Sequence, residues 1–504
     1  MVLMLLSTGF IGVSNQEEEF IAKIKETKQN PSEKDIDWWP MFHHDLIRSG
    51  YSTSDAPETN NVKWSYTTGK DVFSSPAVSE GRVYIGSLDK KVYCLDADNG
   101  TEIWNYTTWN QVFSSPAVAD GKVYIGSNDA TVYCLDADTG GELWSFQTGD
   151  QIFSSSPSVA DEKVYIGSED GKVYCLNAVT GAKIWDYTTD DWVHSSPAVS
   201  EGRVYIGSLD KKVYCLDSDN GTEIWNYTTG YSVDSSPAVL DGKVYIGSWD
   251  RKMYCLDSDT GAKIWDYELN DWVHSSPAVA DGKVYIGSCY KVYCLNADTG
   301  TKIWDYTTGG FWADSSPAVA DGKVYIGTED YKLYCLNADT GTKIWDYKTG
   351  RFVDSSPAVA DGKVYIGSDD YNVYCFGDNG ENQPPNAPTI IGSTIGKVGV
   401  EYQYNFSLYD PDNDSIYLRV DWGNGTPGTW DGPFDSGIKV MLNHTWNQKG
   451  NYTIRAQSKD VYGKESDWAT LEITMPKTYN LIWWLIELLT RFPLLSRLLG
   501  WLMW

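Results

Sequence analysis

The chain is long and strongly acidic. It has 504 residues, of which 69 are Asp or Glu and 40 are Lys or Arg, and its formal net charge is −29 at pH 7. This charge argues against nucleic acid as a partner, because phosphates require a basic surface, and against attraction to an anionic membrane surface. The length exceeds that of one ordinary domain and predicts two folded domains with terminal segments.

The N-terminal residues resemble an export signal. Residues 1–14 form an apolar stretch that is too short to span a bilayer, and a charged leader follows at residues 15–36. A buried N-terminal segment is the alternative interpretation. Nine Asn-x-Ser/Thr sequons are compatible with an exported glycoprotein at the cell surface or in the cell envelope. The sequons begin at Asn99, Asn105, Asn220, Asn226, Asn405, Asn413, Asn424, Asn443 and Asn451.

A unit of about 40 residues recurs eight times between residues 63 and 376. Each copy contains a Ser-Ser-Pro signature and short apolar runs separated by Asp-Gly or Thr-Gly turns, which predicts a four-stranded antiparallel meander. A period near 40 is typical of a solenoid or propeller, and we interpret the array as an eight-bladed β-propeller. The prolines of the signature are Pro76, Pro116, Pro157, Pro197, Pro237, Pro277, Pro317 and Pro357.

The two ends of the array complement each other. A lone tryptophan-containing segment at residues 62–68 precedes the first signature, whereas the last copy ends after residues 373–376 without such a segment. We therefore predict that the N-terminal strand is the outer strand of the last blade, where it covers an otherwise unpaired edge.

Eight of the nine cysteines occupy one strand position of the repeat. Equivalent points on neighbouring blades are about 10 Å apart, which exceeds the Cα separation of about 7 Å that a disulfide allows. We expect these cysteines to be buried thiols that act as small hydrophobic side chains. Cys289, in a shortened hairpin, is predicted to be a free thiol, with a strained link to Cys294 as the alternative.

The motifs also carry a family resemblance. The opening at residues 37–45, together with the repeated SPAVADGKVYIGS, YCLNADTG and IWDYTTG, resembles the quinoprotein-type (PQQ-like) β-propeller family over about residues 37–380. That family includes dehydrogenases that require calcium and pyrroloquinoline quinone, and also non-catalytic assembly lipoproteins of the outer membrane, so the fold does not decide the function. The resemblance implies that one tryptophan per unit packs between blades. These tryptophans are Trp64, Trp104, Trp144, Trp185, Trp225, Trp265, Trp304 and Trp345.

One face of the predicted propeller varies between copies, because the loops that lead into the innermost strands differ while the other turns are uniform. Polar residues on five successive blades are predicted to line one arc of the channel mouth, with aromatic residues behind them. We interpret them as a binding site for sugars, cations or cationic peptides, and solvated channel residues are the alternative. The candidates are His194, Asp234, His274, Asp314 and Asp354, with Trp192, Tyr231, Trp272, Trp312 and Phe352.

Two expectations follow for this arc if it is solvated. The imidazoles should acquire charge below about pH 6.5, so that acid weakens cation binding. Replacing the three aspartates by asparagine should cost little stability.

A quinone enzyme of this fold would carry calcium-binding Glu, Asn and Asp side chains and, in its alcohol-oxidising members, a disulfide between adjacent cysteines. The chain has no adjacent cysteines, and several units are near-duplicates, which disfavours one specialised catalytic pocket. We therefore assign no catalytic residue, regard the quinone as an unfavoured cofactor, and predict a non-enzymatic binding scaffold whose partner is a surface glycan, a peptide or an envelope protein. A quinone-dependent dehydrogenase and an envelope-protein assembly factor are the alternatives.

A second domain and a tail follow the propeller. A Pro-rich linker at residues 381–388 precedes short alternating runs at 389–475 that predict a β-sandwich and resemble PKD or other Ig-like modules. A calcium site is one interpretation of Asp410, Asp412 and Asp414, and a capped turn is the other. Residues 476–504 are rich in Leu and Trp and predict a helix that docks at a membrane interface or on a partner, or packs on the sandwich.

Overall fold

The computed structural model describes residues 36–309, 314–378, 383–411, 414–423 and 428–475. All the regular elements in these ranges are β-strands, which confirms the all-β class. Within the same ranges no helix is present that could cross a bilayer. The predicted signal-like segment and leader at residues 1–35 and the predicted tail helix lie outside the described residues.

Residues 62–377 form eight antiparallel sheets, each with four strands in the order expected of a meander. The innermost strands are β3 Ala77–Ser79, β7 Ala117–Ala119, β11 Ser158–Ala160, β15 Ala198–Ser200, β19 Ala238–Leu240, β23 Ala278–Ala280, β27 Ala318–Ala320 and β31 Ala358–Ala360. The second strands are β4 Arg82–Ser87, β8 Lys122–Ser127, β12 Lys163–Gly167, β16 Arg203–Gly207, β20 Lys243–Ser248, β24 Lys283–Ser288, β28 Lys323–Thr328 and β32 Lys363–Gly367.

The outer half of each sheet is equally regular. The third strands are β5 Lys91–Asp96, β9 Thr131–Asp136, β13 Lys172–Asn177, β17 Lys212–Asp217, β21 Lys252–Asp257, β25 Lys291–Asn296, β29 Lys332–Asn337 and β33 Asn372–Gly377. The outermost strands are β6 Glu102–Thr107, β10 Glu142–Gln147, β14 Lys183–Thr188, β18 Glu223–Thr228, β22 Lys263–Glu268, β26 Lys302–Thr307, β30 Lys343–Lys348 and β2 Val62–Thr67.

Burial along the strands follows from the packing of each sheet between two others. In the second strand β4 the run from Val83 to Ser87 is buried on both faces, because a neighbouring sheet covers each side. In the outermost strand β6 only Trp104 is buried. The sequence pattern therefore changes from a continuous apolar run to an alternating one as the chain moves outward.

The repeated tryptophans lie between adjacent sheets. Trp64 Nε1 donates a hydrogen bond of 3.0 Å to the carbonyl oxygen of Ala97 in the next sheet. Its ring covers Gly100, which has a φ of +71° and where a Cβ atom would lie 2.5 Å from the ring. Glycine is thus required at position 100 of this Asp-Asn-Gly turn, both by the backbone conformation and by the close contact with the tryptophan ring. Equivalent bonds are donated by Trp104, Trp144, Trp185, Trp225, Trp265 and Trp304.

The N-terminal strand completes the last sheet, as predicted. Strand β2 pairs antiparallel with β33, and Trp64 lies opposite Cys375. The innermost strands contact one another in succession, and β31 of the last sheet contacts β3 of the first. Between the seventh and eighth sheets, the N-terminal chain takes the place of the turn that receives the tryptophan elsewhere. The indole nitrogen of Trp345 donates a hydrogen bond to the carbonyl oxygen of Pro57 at 3.4 Å.

The sequence analysis missed the role of residues 37–52, which we call the N-terminal plug. The plug runs beneath the innermost strands, and its carbonyl groups accept hydrogen bonds from one valine N–H of each of six sheets. The bonds run from Val78 to Trp39, Val118 to Pro40, Val199 to Leu46, Val239 to Ile47, Val279 to Ser49 and Val319 to Gly50, at 2.7–2.8 Å. The plug ends in β1 (Tyr51–Ser52), which pairs parallel with β27.

Arg48 fixes the centre of the plug. Its side chain is buried, and its guanidinium donates to the carbonyl oxygens of Pro197, Ser156 and Pro157 at 3.0–3.1 Å and to Ser158 Oγ at 2.8 Å. It also donates to the carbonyl oxygen of Phe42. One side chain thereby satisfies backbone acceptors of the fourth sheet and of the third, which is not among the six sheets bonded through a valine.

Residues 389–475 form two further antiparallel sheets. One contains β34 Thr389–Ile391, β35 Glu401–Ser407 and β38 Lys439–Thr445, and the other contains β36 Ile416–Asp421, β37 Asp431–Phe434, β39 Gly450–Asp460 and β40 Ala469–Met475. The sheets share a core in which Tyr404, Phe406, Leu418 and Ile454 are buried. The two sheets therefore bury one common core.

The nine cysteines are free thiols, and the eight at the repeated strand position are buried, which agrees with their predicted role. Cys289 is partly exposed and also free. In the second domain, Asp410 Oδ1 accepts a hydrogen bond from the backbone N–H of Asp414 at 3.2 Å, the geometry of a capped turn. Asp412 lies outside the described residues, so calcium binding there stays a prediction.

Candidate functional site

The second serines of the eight Ser-Ser-Pro signatures together surround the channel. The N–H of each of these serines donates to the hydroxyl oxygen of its counterpart in the next sheet at 2.8–3.0 Å, and the eighth bond returns from Ser356 to Ser75. The result is a closed ring of eight hydrogen bonds, which we call the serine ring. It consists of Ser75, Ser115, Ser156, Ser196, Ser236, Ser276, Ser316 and Ser356. The first serine of the signature forms a hydrogen bond within its own sheet. Ser74 Oγ, for example, accepts a hydrogen bond from the N–H of Gly86 at 2.9 Å.

A cavity of about 280 Å³ lies on this ring. Phe42 of the N-terminal plug and the serine ring line it, together with the wall residues, which lead into the innermost strands. These wall residues are Phe73, Phe113, Phe153, Ser154, His194, Asp234, His274, Asp314 and Asp354. The structure thus brings the five predicted polar residues together around one space.

Three phenylalanines form the apolar part of the wall. Their ring centroids are 5.3 Å apart for Phe73 and Phe113 and 4.4 Å apart for Phe113 and Phe153, and Phe153 also contacts His194. The third unit has one additional residue at this position, and both Phe153 and Ser154 line the cavity.

An aspartate between two histidines forms the first polar part. Asp234 Oδ1 lies 3.1 Å from His194 Nδ1, and Asp234 Oδ2 lies 3.3 Å from His274 Nδ1. The other ring nitrogen of His194 lies 3.0 Å from Glu169 Oε1. We call these four residues the histidine cluster.

The histidine cluster is largely buried, which corrects the expectation of solvated residues that titrate near pH 6.5. Burial opposes the charged imidazole, but hydrogen bonds to Asp234 and Glu169 outweigh it and raise the pKa of His194. Burial opposes the charge of His274 in the same way, and the hydrogen bond to Asp234 with the charge of Asp314 raises its pKa. Burial disfavours the ionised Asp234, yet its two histidine partners lower its pKa. The three groups therefore stabilise one another in their charged forms.

The carboxyl groups of Asp314 and Asp354 form the second polar part of the wall. Burial and the charges of Asp369 and Asp314 raise the pKa of Asp354 to about 8. Burial and the charge of Asp71 raise the pKa of Asp369 to about 7. Burial also raises the pKa of Asp314, with His274 opposing the shift. Asp354 Oδ1 and Asp369 Oδ1 are buried and have no hydrogen-bond partner among the described residues.

Aromatic residues surround the histidine cluster on the outer surface. Trp192 lies 5.7 Å from His194 between ring centroids, and Trp272 stacks on Trp249 at 5.7 Å with an interplanar angle of 11°. Tyr231 also stacks on Trp249, at 6.4 Å, and Phe352 contacts Tyr331. Trp192, Tyr231 and Trp272 are close to half exposed, at 48%, 48% and 45%. Trp312 lies outside the described residues.

Sequence reasoning missed Glu169, Trp249 and Asp369, which follow the Ile-Gly-Ser end of their second strands. The signal was present in the alignment of the copies, because this position varies as much as the loops that lead inward. Both connections lie on the same face of the sheets, so both supply side chains to the mouth of the channel.

The histidine cluster yields a test of its electrostatics. In Asp234→Asn we expect the pKa of His194 and of His274 to fall towards the ordinary value of about 6.5. A raised histidine pKa contributes stability below that unfolded value and loses it as the pH rises through the folded value. The variant should therefore be less stable than the parent by about 2 kcal/mol near pH 6, and the difference should shrink towards pH 9.

The measurement is a histidine-selective NMR titration combined with thermal melts at pH 6 and pH 9. Asp259→Asn, which removes a carboxylate paired with Arg203 at the rim, is the control and should leave both imidazoles unchanged. Unaltered titration of His194 and His274 in Asp234→Asn would contradict the arrangement.

Two family models match parts of the propeller. The model described as the β-propeller of beta-alanine-activating enzyme matches residues 119–313. The model described as outer membrane protein assembly factor BamB matches residues 53–152 and 288–383. With the solved structures below, these matches support a PQQ-like β-propeller.

Solved structures that resemble the chain include BamB and two dehydrogenases. BamB from Moraxella catarrhalis is 20% identical with a TM-score of 0.56, over 62% of this chain and 98% of that chain. A europium-containing methanol dehydrogenase is 16% identical with a TM-score of 0.59, over 69% and 92%. The quinohemoprotein alcohol dehydrogenase from Comamonas testosteroni is 17% identical with a TM-score of 0.59, over 71% and 83%. At such identities the likeness shows the fold alone, and no curated protein matches the chain.

Proposed function

We propose that the chain is an exported, non-enzymatic binding protein that presents the mouth of its channel, with the aromatic residues around it, as a ligand surface. The observation that carries this proposal is the wall of the cavity, in which three phenylalanines face two differently charged carboxylate clusters. A channel that binds no ligand is not expected to contain buried carboxylate oxygens without hydrogen-bond partners, because the burial of each oxygen costs desolvation free energy.

The proposal includes the finer architecture. The eight sheets are the blades of one closed propeller, the two later sheets are a PKD or Ig-like module, and the residues after 475 retain the protein at the cell envelope by docking at a membrane interface or on a partner. Fractionation of cells that produce the chain without residues 477–504 tests this retention, and unchanged fractionation would favour packing of the tail on the sandwich.

Two alternatives have specific support. The match to the BamB model favours an assembly factor for envelope proteins, and the likeness to methanol and alcohol dehydrogenases favours a quinone enzyme. In the part of the chain that the structure describes, no three His, Cys, Asp or Glu side chains are placed to hold one metal ion. Absorbance of bound quinone and dye reduction after addition of calcium and the quinone would establish the enzyme instead.

The test of the binding surface is a glycan and peptide array screen with the full chain. We expect Tyr231→Ala to lose at least about tenfold in affinity for any ligand found, because truncation of an aromatic side chain at a binding hot spot costs about 2 kcal/mol or more of binding free energy. Tyr409→Ala is the matched control, since Tyr409 is also about half exposed, at 56%, but belongs to the second domain. Equal losses in both variants, or none in either, would contradict a ligand surface at the channel mouth.

A further inference from the structure

The serine ring presents hydroxyl groups to the cavity. Each hydroxyl oxygen of the ring accepts one backbone N–H from a neighbouring sheet, and all eight serines line the cavity. Of these eight hydroxyls, only that of Ser156 donates a hydrogen bond within the described residues, a long one of 3.5 Å to the carbonyl oxygen of Ser154. A hydroxyl group carries one donor and two acceptor positions. The ring therefore offers hydroxyl protons to a ligand that has acceptor oxygens.

The signature of the fifth sheet shows how the two serine hydroxyls are divided. Ser235 Oγ accepts the N–H of Gly247 at 3.2 Å within its own sheet, and Ser235 does not line the cavity. Ser236 Oγ accepts the N–H of Ser196 at 2.9 Å, and Ser236 lines the cavity together with Asp234. Side chains two residues apart thus face the same space, and each sheet contributes at least one wall residue and one hydroxyl group.

An aromatic surface faces the same space. Phe73, Phe113 and Phe153 line the cavity, with neighbouring ring centroids 5.3 Å and 4.4 Å apart, and Phe42 of the plug adds a fourth ring. Because the serine ring has eight members, the third and the seventh sheets are opposite each other, so Phe153 faces Asp314 across the cavity. A ligand gains free energy when its C–H groups are buried against such rings. The site therefore combines an aromatic face with hydroxyl and carboxyl groups.

The carboxyl groups that line the cavity favour a neutral ligand. Both oxygens of Asp234 have a histidine partner, His194 at 3.1 Å and His274 at 3.3 Å, so this carboxylate needs no cation from a ligand. Asp314 and Asp354 also line the cavity and disfavour an anion by charge repulsion. At pH 7 the raised pKa of Asp354, about 8, leaves most of this carboxyl group uncharged, so it both donates and accepts hydrogen bonds.

The volume of the cavity limits the ligand to one small ring. It is about 280 Å³, which is close to the lower limit of ordinary ligand sites, about 300 Å³. A pyranose has an apolar face of C–H groups and a rim of hydroxyl groups that both donate and accept hydrogen bonds. Such a ring uses the phenylalanines and the serine hydroxyls at the same time, whereas an alkyl chain would use only the phenylalanines.

We propose that the cavity binds one neutral pyranose ring, with its C–H face against Phe113 and Phe153 and its hydroxyl groups bonded to the serine ring and to Asp314. The inference rests on the proposed binding function and names the ligand chemistry of that site. The ring belongs either to a free monosaccharide or to the terminal residue of a glycan. In a glycan, the sugars that follow lie among the half-exposed aromatic residues at the mouth, such as Tyr231.

The probes are the methyl glycosides of glucose, galactose, mannose and N-acetylglucosamine, titrated calorimetrically at millimolar concentrations into the full chain at pH 7. Two analogues separate the features of the ligand, since cyclohexanol has a ring with a single hydroxyl group and xylitol has the hydroxyl groups without a ring. We expect at least one glycoside to bind, and both analogues to bind at least about tenfold more weakly. Absence of binding by every glycoside, or equal binding of either analogue, would overturn the proposal.

A matched pair of serine variants separates binding from stability. Ser236→Ala removes a hydroxyl group that lines the cavity, and Ser235→Ala removes the adjacent one that does not. Each variant leaves one backbone N–H without its hydroxyl acceptor, so both should lower the melting temperature by similar amounts. Only Ser236→Ala should weaken glycoside binding, by about three- to tenfold. Equal glycoside affinities of the two variants would contradict bonding to the serine ring.

A second pair of variants tests the aromatic face. Phe113→Leu keeps an apolar side chain in the cavity but removes the flat ring, so glycoside binding should weaken at least about fivefold. Phe146→Leu is the control, because Phe146 contacts Tyr174 on the outer part of its sheet and does not line the cavity. Unchanged glycoside affinity in Phe113→Leu would contradict the proposed orientation of the ring.

A disaccharide that ends in the same sugar as the bound glycoside identifies the source of the ring. Tighter binding of the disaccharide than of the glycoside indicates a glycan as the ligand, and equal binding indicates a free monosaccharide. A peptide from the array that binds at the mouth, while no glycoside binds, would overturn the pyranose assignment and leave the proposed function standing.

Discussion

Deletion of residues 1–70 is expected to abolish the folded propeller, whereas deletion of residues 1–35 should leave its melting temperature unchanged. The longer deletion removes β2, exposes the edge of β33 and takes Trp39 and Trp64 from one core cluster. Loss of two buried tryptophans costs on the order of 6–10 kcal/mol, which is comparable to the whole stability of a typical domain, about 5–15 kcal/mol. The contacts described for the N-terminal chain begin with Asp37.

An intermediate deletion separates the plug from the closing strand. Removal of residues 1–52 retains β2 and the Pro57 carbonyl that receives Trp345, but it removes the acceptors of six valine N–H groups. We expect this protein to fold and to melt well below the parent. The comparison is made by calorimetry and size-exclusion chromatography, and equal melting curves for all three deletions and the parent would refute closure by the N-terminal chain.

Replacement of Arg48 by methionine should destabilise the propeller by about 3–5 kcal/mol, since each buried acceptor left unsatisfied costs about 1–3 kcal/mol. Arg48 has four buried acceptors in two sheets, and methionine keeps most of its volume without any donor. The stability of Arg48→Lys should lie between those of the parent and of Arg48→Met, because one ammonium group cannot reach all the acceptors that the planar guanidinium spans.

The matched control is Arg203→Met. Arg203 pairs with Asp259 at the rim, where that carboxylate is 69% exposed, and such pairs typically contribute about 0–1 kcal/mol. Urea titration followed by tryptophan fluorescence gives the free energies of unfolding. A loss in Arg48→Met no larger than that in Arg203→Met would show that the plug does not hold the sheets together.

Much of the fold could be predicted because the repeat encodes it locally. The Val-Tyr-Ile and Val-Tyr-Cys-Leu runs, the glycine turns and the single tryptophan per unit specify strands, connections and inter-sheet contacts in every copy. The position of β2 in the last sheet could also be predicted from the sequence. The last repeat has no outer strand of its own, and β2 precedes the first repeat without belonging to it.

The candidate site was predicted only in outline. Alignment of the copies placed His194, Asp234, His274, Asp314 and Asp354 on one arc, and the cavity contains all five. Their ionisation was not predictable from that alignment. Asp234 and Asp354 occupy the same repeat position, yet the pKa of one is lowered and that of the other is raised. The difference arises from the neighbours, because histidines flank Asp234 while Asp314 and Asp369 adjoin Asp354.

The class of fold, the strand pattern and the positions that face the channel follow from the amino-acid sequence, because they depend on periodicities within a repeat of about 40 residues. The contacts between distant parts of the chain, which are those of the plug, of the serine ring and of Glu169 with His194, arise only in the folded structure. Backbone carbonyls such as that of Trp39 have no residue-specific signature, so a segment that acts through them cannot be recognised by composition. Burial and the field of neighbouring charges likewise belong to the assembled structure, and they give chemically identical aspartates different protonation states.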